Sequence, residues 1–282
     1  MGCNFPVALK AGDPRLGVRP CGKCIGCRLD YSRAKAVRAM HELESHERSS
    51  FVTLTYDDRN LVYGEKAIAP TLVKRDLQLF WKQLRRRIEP RKISYMASGE
   101  YGENTERPHY HAIIFGEDFS DDREFWKQSE SGNLYTSQLL SDAWGNKGHA
   151  VFGAVTFESA AYVASYTIKK LNGEMAKSEY DDLGRIPPFG AMSTKPAIGR
   201  RWIEKNLKDV YNHDSVIMRG HEQRPPRYYD EIKKVLDPES FKEIQRSRRD
   251  KMEERLKNNF VASGSVTEFC QKSKISQKIE KF

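Results

Sequence analysis

No apolar run in the chain approaches 18 residues, which excludes a membrane-spanning helix. The first residues, Met1-Gly2-Cys3-Asn4-Phe5-Pro6, lack a basic segment followed by an apolar one, so no secretory leader is expected. Position 6 is Pro rather than Ser or Thr, so the myristoylation pattern is missing as well. Internal repeats and low-complexity tracts are absent, which leaves one large domain or two small ones for the 282 residues. Acidic residues are in deficit: 39 Asp+Glu face 48 Lys+Arg, a net charge of +9. With 38% hydrophobic and 11% aromatic residues, wholesale disorder is excluded. The expectation is a soluble intracellular protein suited to polyanions, although charge alone does not separate nucleic-acid binding from a merely solvated basic face.

What is present is unevenly placed. Residues 71–92 hold eight Lys/Arg against two acids, a net of +6 and thus two-thirds of the chain's excess. Val73, Leu77, Phe80, Trp81, Leu84 and Ile88 recur there at helical spacing. Thr71 is the expected cap and Pro90 the expected stop. Lys82, Arg85, Arg86 and Arg87 crowd the last turns. One or two cations would satisfy the helix dipole, so four suggest a DNA-binding, phosphate-contacting surface. Residues 28–47 read as a second helix, basic early and acidic late. That order opposes the dipole, so Arg28, Arg33, Lys35 and Arg38 are expected to have an external anionic partner. Residues 226–257 read as mixed-charge helix broken at Asp237-Pro238, and the Ser/Lys-rich stretch 261–282 is expected to fray.

Cysteine is sparse, five in all, but four lie within the first 27 positions. Cys21, Cys24 and Cys27 form CGKCIGC, with Cys3 upstream. Intracellular clustered cysteines favour metal over disulfide. Cys3, Cys21, Cys24 and Cys27 would close a tetrahedral structural Zn2+ site. Iron–sulfur proteins share C-x-x-C-x-x-C, but the trailing C-x-x-x-C-P is absent. A reduced, metal-free turn is the plain alternative. Cys270 reads as a free thiol.

Residues 51–56 (FVTLTY), 93–100 (ISYMASGE) and 109–116 (HYHAIIFG) read as strands. The last two are joined by a loop whose Gly102 and Pro108 suit a hairpin. Strand alternation puts His109 and His111 on one face, and antiparallel folding returns Glu100 beside His109. Two imidazoles and a carboxylate would then hold a divalent cation with open positions. An H-x-H pair is often only a partly exposed pair without metal. Here Ala112-Ile113-Ile114-Phe115 follows, a run expected to be covered on both faces, and two histidines at its mouth need a ligand or partner.

Residues 158–173 (ESAAYVASYTIKKLNG) read as a helix with Ser159 as N-cap and Asn172-Gly173 as stop. At about 100° per residue, Tyr166 falls about 40° and Lys169 about 20° from Tyr162, nearly opposite the apolar stripe. A phenolate can attack a phosphodiester and leave a covalent phosphotyrosine. A metal can polarise the phosphate, and a nearby lysine favours the ionised phenol. The bond energy stays in the protein–DNA link, so rejoining needs no ATP. Two tyrosines could alternate.

These residues together resemble the HUH-type replication initiator endonucleases of small circular single-stranded DNA phages, specifically the gokushovirus branch of the Microviridae. The likeness rests on Phe51-Val-Thr-Leu-Thr-Tyr56, Gly99-Glu-Tyr-Gly102, Arg107-Pro-His-Tyr-His111, Tyr162-Val-Ala-Ser-Tyr166-Thr-Ile-Lys169, and Pro20-Cys-Gly-Lys-Cys24 with Cys27-Arg28. It spans about residues 1–230. One departure is Tyr110, where an aliphatic residue is usual. The resemblance implies an α+β fold, an antiparallel β-sheet flanked by helices (RRM-like), with a helical C-terminal extension. It implies that Glu100, His109 and His111 hold Mg2+ or Mn2+, that Tyr166 is a nucleophile with Tyr162 its partner, and that Lys169 assists. It implies site-specific nicking of single-stranded DNA at the viral replication origin and rejoining during rolling-circle replication, in the cytoplasm of the bacterial host. No G-x-x-x-x-G-K-[ST] signature is present, so unwinding would fall to a host helicase and extension to a host polymerase. The expected organisation is a Cys-rich arm and basic helix over 1–47, an endonuclease domain over 48–215 and a charged helical tail over 216–282. Two alternatives remain: a non-catalytic zinc-containing DNA-binding protein, and a metal-dependent RNA or phosphate-ester hydrolase that forms no covalent link.

Overall fold

The computed structural model describes residues 2–8, 18–66, 68–129, 132–165, 176–258 and 263–279. The described strands are β1 (Val7–Ala8), β2 (Val18–Arg19), β3 (Ser49–Thr55), β4 (Ser94–Tyr101), β5 (Pro108–Phe115), β6 (Arg123–Ser129), β7 (Gly132–Ser137), β8 (Ala150–Gly153), β9 (Phe189–Met192), β10 (Val216–Met218) and β11 (His221–Gln223). The helices are α1 (Ile25–Leu43), α2 (Lys74–Arg87), α3 (Gln138–Trp144), α4 (Phe157–Ala164), α5 (Arg200–His213), α6 (Arg227–Leu236), α7 (Pro238–Asn258) and α8 (Gly264–Ile279).

The chain divides into two compact units, Lys35–Glu204 and Met1–Ala34 with Lys205–Phe282. The first is built on a seven-stranded antiparallel sheet in the order β6-β7-β8-β3-β5-β4-β9. Beside the central β3 lies β5, whose Ala112–Phe115 run is fully buried, as a strand covered on both faces requires. Tyr110, Ala112 and Ile114 join one core with Leu77, Phe80, Trp81 and Leu84 of α2 and Leu140 and Trp144 of α3. Ile113 and Phe115 join the other, with Ala36 and Ala39 of α1 and Ala160, Val163 and Ala164 of α4. Period-two alternation therefore decides which β5 side chains meet which helices, and it sends His109 and His111 to the α1/α4 side. The α+β expectation of helices flanking an antiparallel sheet holds.

Several local expectations are corrected. Helix α2 starts at Lys74 with Val73 as its N-cap, and no side chain caps Val73, so Thr71 is not the cap. The Thr71 hydroxyl instead accepts from the Ile186 N–H at 2.8 Å. Helix α4 is capped by Thr156, one turn earlier than expected. Ser159 is the reciprocal partner in a capping box, its hydroxyl accepting from Thr156 N–H while its own N–H donates to Thr156 Oγ1. The expected Asn172-Gly173 stop lies outside the described residues. The early cations of α1 find partners within the chain. Arg33 donates to Gln223 Oε1 and the Arg224 carbonyl, Arg38 to the Ile198 carbonyl, and Arg28 to the Lys23 carbonyl. Lys35 is buried, which pulls its pKa down to about 8. No external anion is needed to explain that order of charge.

In the second unit, Arg248 forms ion pairs with Asp214 and Asp230, and Asp230 also accepts from Tyr211 Oη at 2.9 Å. The break at Asp237-Pro238 separates α6 from α7 as expected. Residues 264–279 are helical rather than frayed. Gln271 of α8 accepts from Asn4 Nδ2 at 2.8 Å, and Glu268 accepts from the Ile25 N–H at 3.5 Å, giving that helix partners its composition does not announce.

One buried histidine makes stability depend on pH. His41 of α1 stacks on Trp202, ring centroids 3.5 Å apart, and burial holds its pKa down at about 4. An unfolded histidine titrates near 6.5, so the unfolded state binds the extra proton between those values. Stability is full above about pH 6.5 and falls toward pH 4 by roughly 3 kcal/mol. Thermal melts across this range should show a shallower decline in His41→Phe than in the wild type.

Candidate active site

The β4–β5 hairpin pairs Glu100 directly with His109 and Ser98 with His111. Glu100, His109 and His111 each offer a ligand atom, and the three atoms lie within 4.8 Å of one another. Glu100 is buried, and Ser98 Oγ donates to its Oε1 at 3.4 Å. His109 Nδ1 faces the Arg107 carbonyl at 3.1 Å. A carbonyl only accepts, so Nδ1 bears the proton and Nε2 keeps a lone pair for a cation. His111 Nδ1 is held by Thr53 Oγ1 at 3.0 Å, and its ring stacks on Phe51. One carboxylate and two oriented imidazoles suit a borderline divalent cation, and three donors leave coordination positions for substrate. The donor set therefore fits a divalent cation.

Helix α4 brings Tyr162 to this cluster. Ala160, Val163 and Ala164 are buried against the sheet, while Tyr162 is 37% exposed. Its ring meets His111 edge-on at 4.9 Å, and its hydroxyl donates to Glu100 Oε2 at 3.4 Å. Tyr166 and Lys169, assigned to the same stripe, lie outside the described residues.

Lys82, Arg85, Arg86 and Arg87 are exposed on α2, as the charge pattern predicts. Arg85 lies over the Tyr95 ring, and Arg87 donates to Gln83. Helix α2 covers the opposite face of the sheet from Glu100, His109 and His111, so these cations do not line the cluster.

The structure explains Tyr110, the departure in the H-x-H motif. Its side chain points away from the histidines into the α2 core. There its hydroxyl accepts from the Val73 N–H at 2.7 Å and lies 3.0 Å from both the Val73 carbonyl and Tyr56 Oη. Tyr56 in turn donates to Asp76, which pairs with Lys147. Burial pushes the Tyr110 pKa up to about 12, so it stays neutral. The hydroxyl thus occupies the uncapped start of α2 that Thr71 was expected to serve. Tyr110→Phe would leave the Val73 N–H without this partner and is expected to cost about 1–3 kcal/mol, read by chemical denaturation. An aliphatic preference at this position gave no hint of the network, and its members lie 34 to 54 residues from Tyr110 in sequence.

The four cysteines form a second cluster. The sulfurs of Cys3, Cys21, Cys24 and Cys27 all lie within 4.8 Å of one another, and none is in a disulfide. Cys21–Cys27 and Cys24–Cys3 are separated by 4.0 and 3.9 Å. A tetrahedron with Zn–S bonds of about 2.3 Å has edges of about 3.8 Å, whereas a disulfide needs about 2.05 Å. Backbone N–H groups of Asn4, Cys21, Lys23 and Cys24 point at the sulfurs, at 3.1 to 3.4 Å. A Cβ on Gly26 would stand 2.2 Å from the Gly2 carbonyl oxygen, so glycine there lets the arm cross the first turn of α1. Cys270 is an exposed free thiol, as expected.

No solved structure matches the chain. The family model for the replication-associated protein ORF2/G2P matches residues 49–171, which contain the sheet's centre, the donor hairpin and α4. The chain is 37% identical over 233 residues to replication-associated protein VP4 of Bdellovibrio phage phiMH2K, covering 79% of this chain and 70% of that protein. It is 35% identical over 262 residues to replication-associated protein ORF2 of Spiroplasma virus 4, covering 89% and 79%. A Chlamydia phage 1 relative, replication-associated protein ORF4, is 26% identical over 238 residues, covering 78% and 55%. With the donor hairpin and Tyr162 inside the matched region, the chain belongs to the family of phage replication-associated proteins.

Proposed function

We propose that the chain initiates phage rolling-circle replication by nicking the viral origin strand and holding the 5′ end as a phosphotyrosine. The supporting observation is the Tyr162 hydroxyl, 3.4 Å from the carboxylate of the Glu100–His109–His111 cluster. Bound to those three residues, Mg2+ or Mn2+ would polarise the scissile phosphate and offset its developing charge. Tyr166, in the Y-x-x-K pattern, supplies the attacking phenolic oxygen and Tyr162 a second one. Lys169 favours the phenolate. Attack forms a Tyr O–P bond and breaks the P–O3′ bond, and the 3′ oxygen leaves with a proton as a 3′-OH. The reverse attack by a 3′-OH rebuilds the phosphodiester and frees the tyrosine. The freed 3′-OH primes a host polymerase behind a host helicase, in the bacterial cytoplasm; no helix of the described residues is long and apolar enough to cross a membrane.

Lys82, Arg85, Arg86 and Arg87 would contact DNA backbone beyond the nick, since α2 lies on the sheet's other face. The cysteine quartet would hold a structural Zn2+ that takes no part in the reaction. Incubation with single-stranded origin DNA and Mn2+, followed by a denaturing gel, tests the reading. A covalently shifted band that is lost when both Tyr162 and Tyr166 become Phe supports it. Absence of that band with every divalent metal tried would overturn it.

A further inference from the structure

The sheet face that carries the metal donors continues past them to an exposed aromatic ring. Glu100 pairs with His109, and His109 with Thr55. Thr55 in turn bonds the residue just before β8, its N–H and hydroxyl donating to the His149 carbonyl at 2.9 and 3.1 Å. Ala150 belongs to the α2/α3 core, so alternation sends the His149 side chain to the donor face. The ring stacked on His149 is Trp126 of β6, centroids 6.2 Å apart and planes 25° from parallel. It lies there because the β6–β7 ladder has a bulge between Phe125 and Lys127 that leaves Trp126 without a cross-strand partner. Bulges re-aim side chains in this way, often beside active sites. Strand spacing of about 4.8 Å places His149 roughly 10 Å across the sheet from His109, with Trp126 beyond it.

Trp126 remains 43% exposed, and the Lys127 ammonium stands 4.3 Å from its ring centroid. A large apolar ring held open to water on a strand whose side chains are nearly all exposed is not core packing. With His149 against the ring and the Lys127 ammonium over it, a nucleobase stacking on Trp126 would displace the ammonium, which then meets the nucleotide's phosphate. Resting on the proposed DNA chemistry, we infer that Trp126 is a base-stacking subsite for single-stranded DNA a few nucleotides from the cleaved phosphate, with Lys127 as its phosphate contact. The subsite reads the π-face, so it tolerates any base and serves to hold the strand along the ledge. It fixes the direction in which the strand leaves the metal cluster, across Thr55 and His149 toward the β6 edge.

The test uses binding without cleavage, so it stands apart from the nicking assay. Fluorescence anisotropy is measured without divalent metal on a dT15 oligonucleotide and on a 15-residue abasic strand with the same backbone. Trp126→Ala should weaken dT15 binding about tenfold and leave abasic binding unchanged. Trp126→Phe should restore most of the loss, and Lys127→Ala should weaken both probes. Equal affinity of wild type and Trp126→Ala for dT15 would overturn the subsite even if the covalent band forms. An equal loss on both probes, or a change in the sedimentation of the free protein, would assign the ring to folding or protein contact and overturn it as well.

Discussion

Alanine at both His109 and His111 should lower nicking of single-stranded DNA by about a thousandfold or more. The two rings supply two of the three donors, and the Glu100 carboxylate alone would hold a divalent cation weakly in water. Losing one properly placed electrostatic contact in a phosphoryl or acyl transfer typically costs a hundred- to a thousandfold, and here the whole site goes. The fold should tolerate the change. Both rings are only half-buried, and the core beneath them is formed by Ile113 and Phe115. Melting temperature should therefore shift little. Loss of nicking together with loss of Mn2+ binding, at unchanged melting, is the expected pattern. Retained nicking in the double variant would remove the metal from the account.

If the cysteine quartet holds the proposed zinc, elemental analysis should find one zinc per wild-type chain and none in Cys24→Ser. Structural zinc sites are almost always four-coordinate through deprotonated ligands, and a serine hydroxyl does not replace a thiolate. The consequence reaches beyond the cluster, because Cys3 and Asn4 leave it side by side. Asn4 bonds Gln271 of α8, and Ile25, next to Cys24, bonds Glu268 of the same helix. Hydrogen exchange should therefore rise in residues 2–8, in the first turns of α1 and in α8 together. Gln271→Ala should free α8 while keeping zinc, which separates the metal's role from the helix contact. The His109/His111 double variant should also keep its zinc, since the two clusters share no residue. Native protein that carries no zinc as purified and shows all five thiols reactive toward a disulfide reagent, Cys270 among them, would contradict the site.

The donor hairpin was readable in the sequence because its information is local. Two strands joined by a short loop set the Glu100–His109 register, and period two does the rest. The mixed-charge break at Asp237-Pro238 was readable for the same reason. The cap of α2 was not. Its start is satisfied by the hydroxyl of Tyr110, 37 residues away, and by no side chain next to Val73. The cations of α1 misled because a dipole rule counts only one helix. Arg33 and Arg38 meet carbonyls at Arg224 and Ile198, which only tertiary packing brings close. Trp126 gave no signal either, since a bulge depends on the partner strand rather than on its own residues. Cysteine spacing drew Cys21, Cys24 and Cys27 together, while Cys3 joined through the arm that Gly26 lets pass.

Peptide mapping of the covalent product tests the central claim most directly. The protein is incubated with single-stranded origin DNA and Mn2+, the adduct is digested with nuclease and protease, and the linked peptide is sequenced by mass spectrometry. The expected result is a nucleotide 5′-phosphate on the oxygen of Tyr166 or Tyr162. Cleaved DNA bearing a free 5′-phosphate, with no nucleotide on either tyrosine, would make the chain a hydrolase and contradict the account.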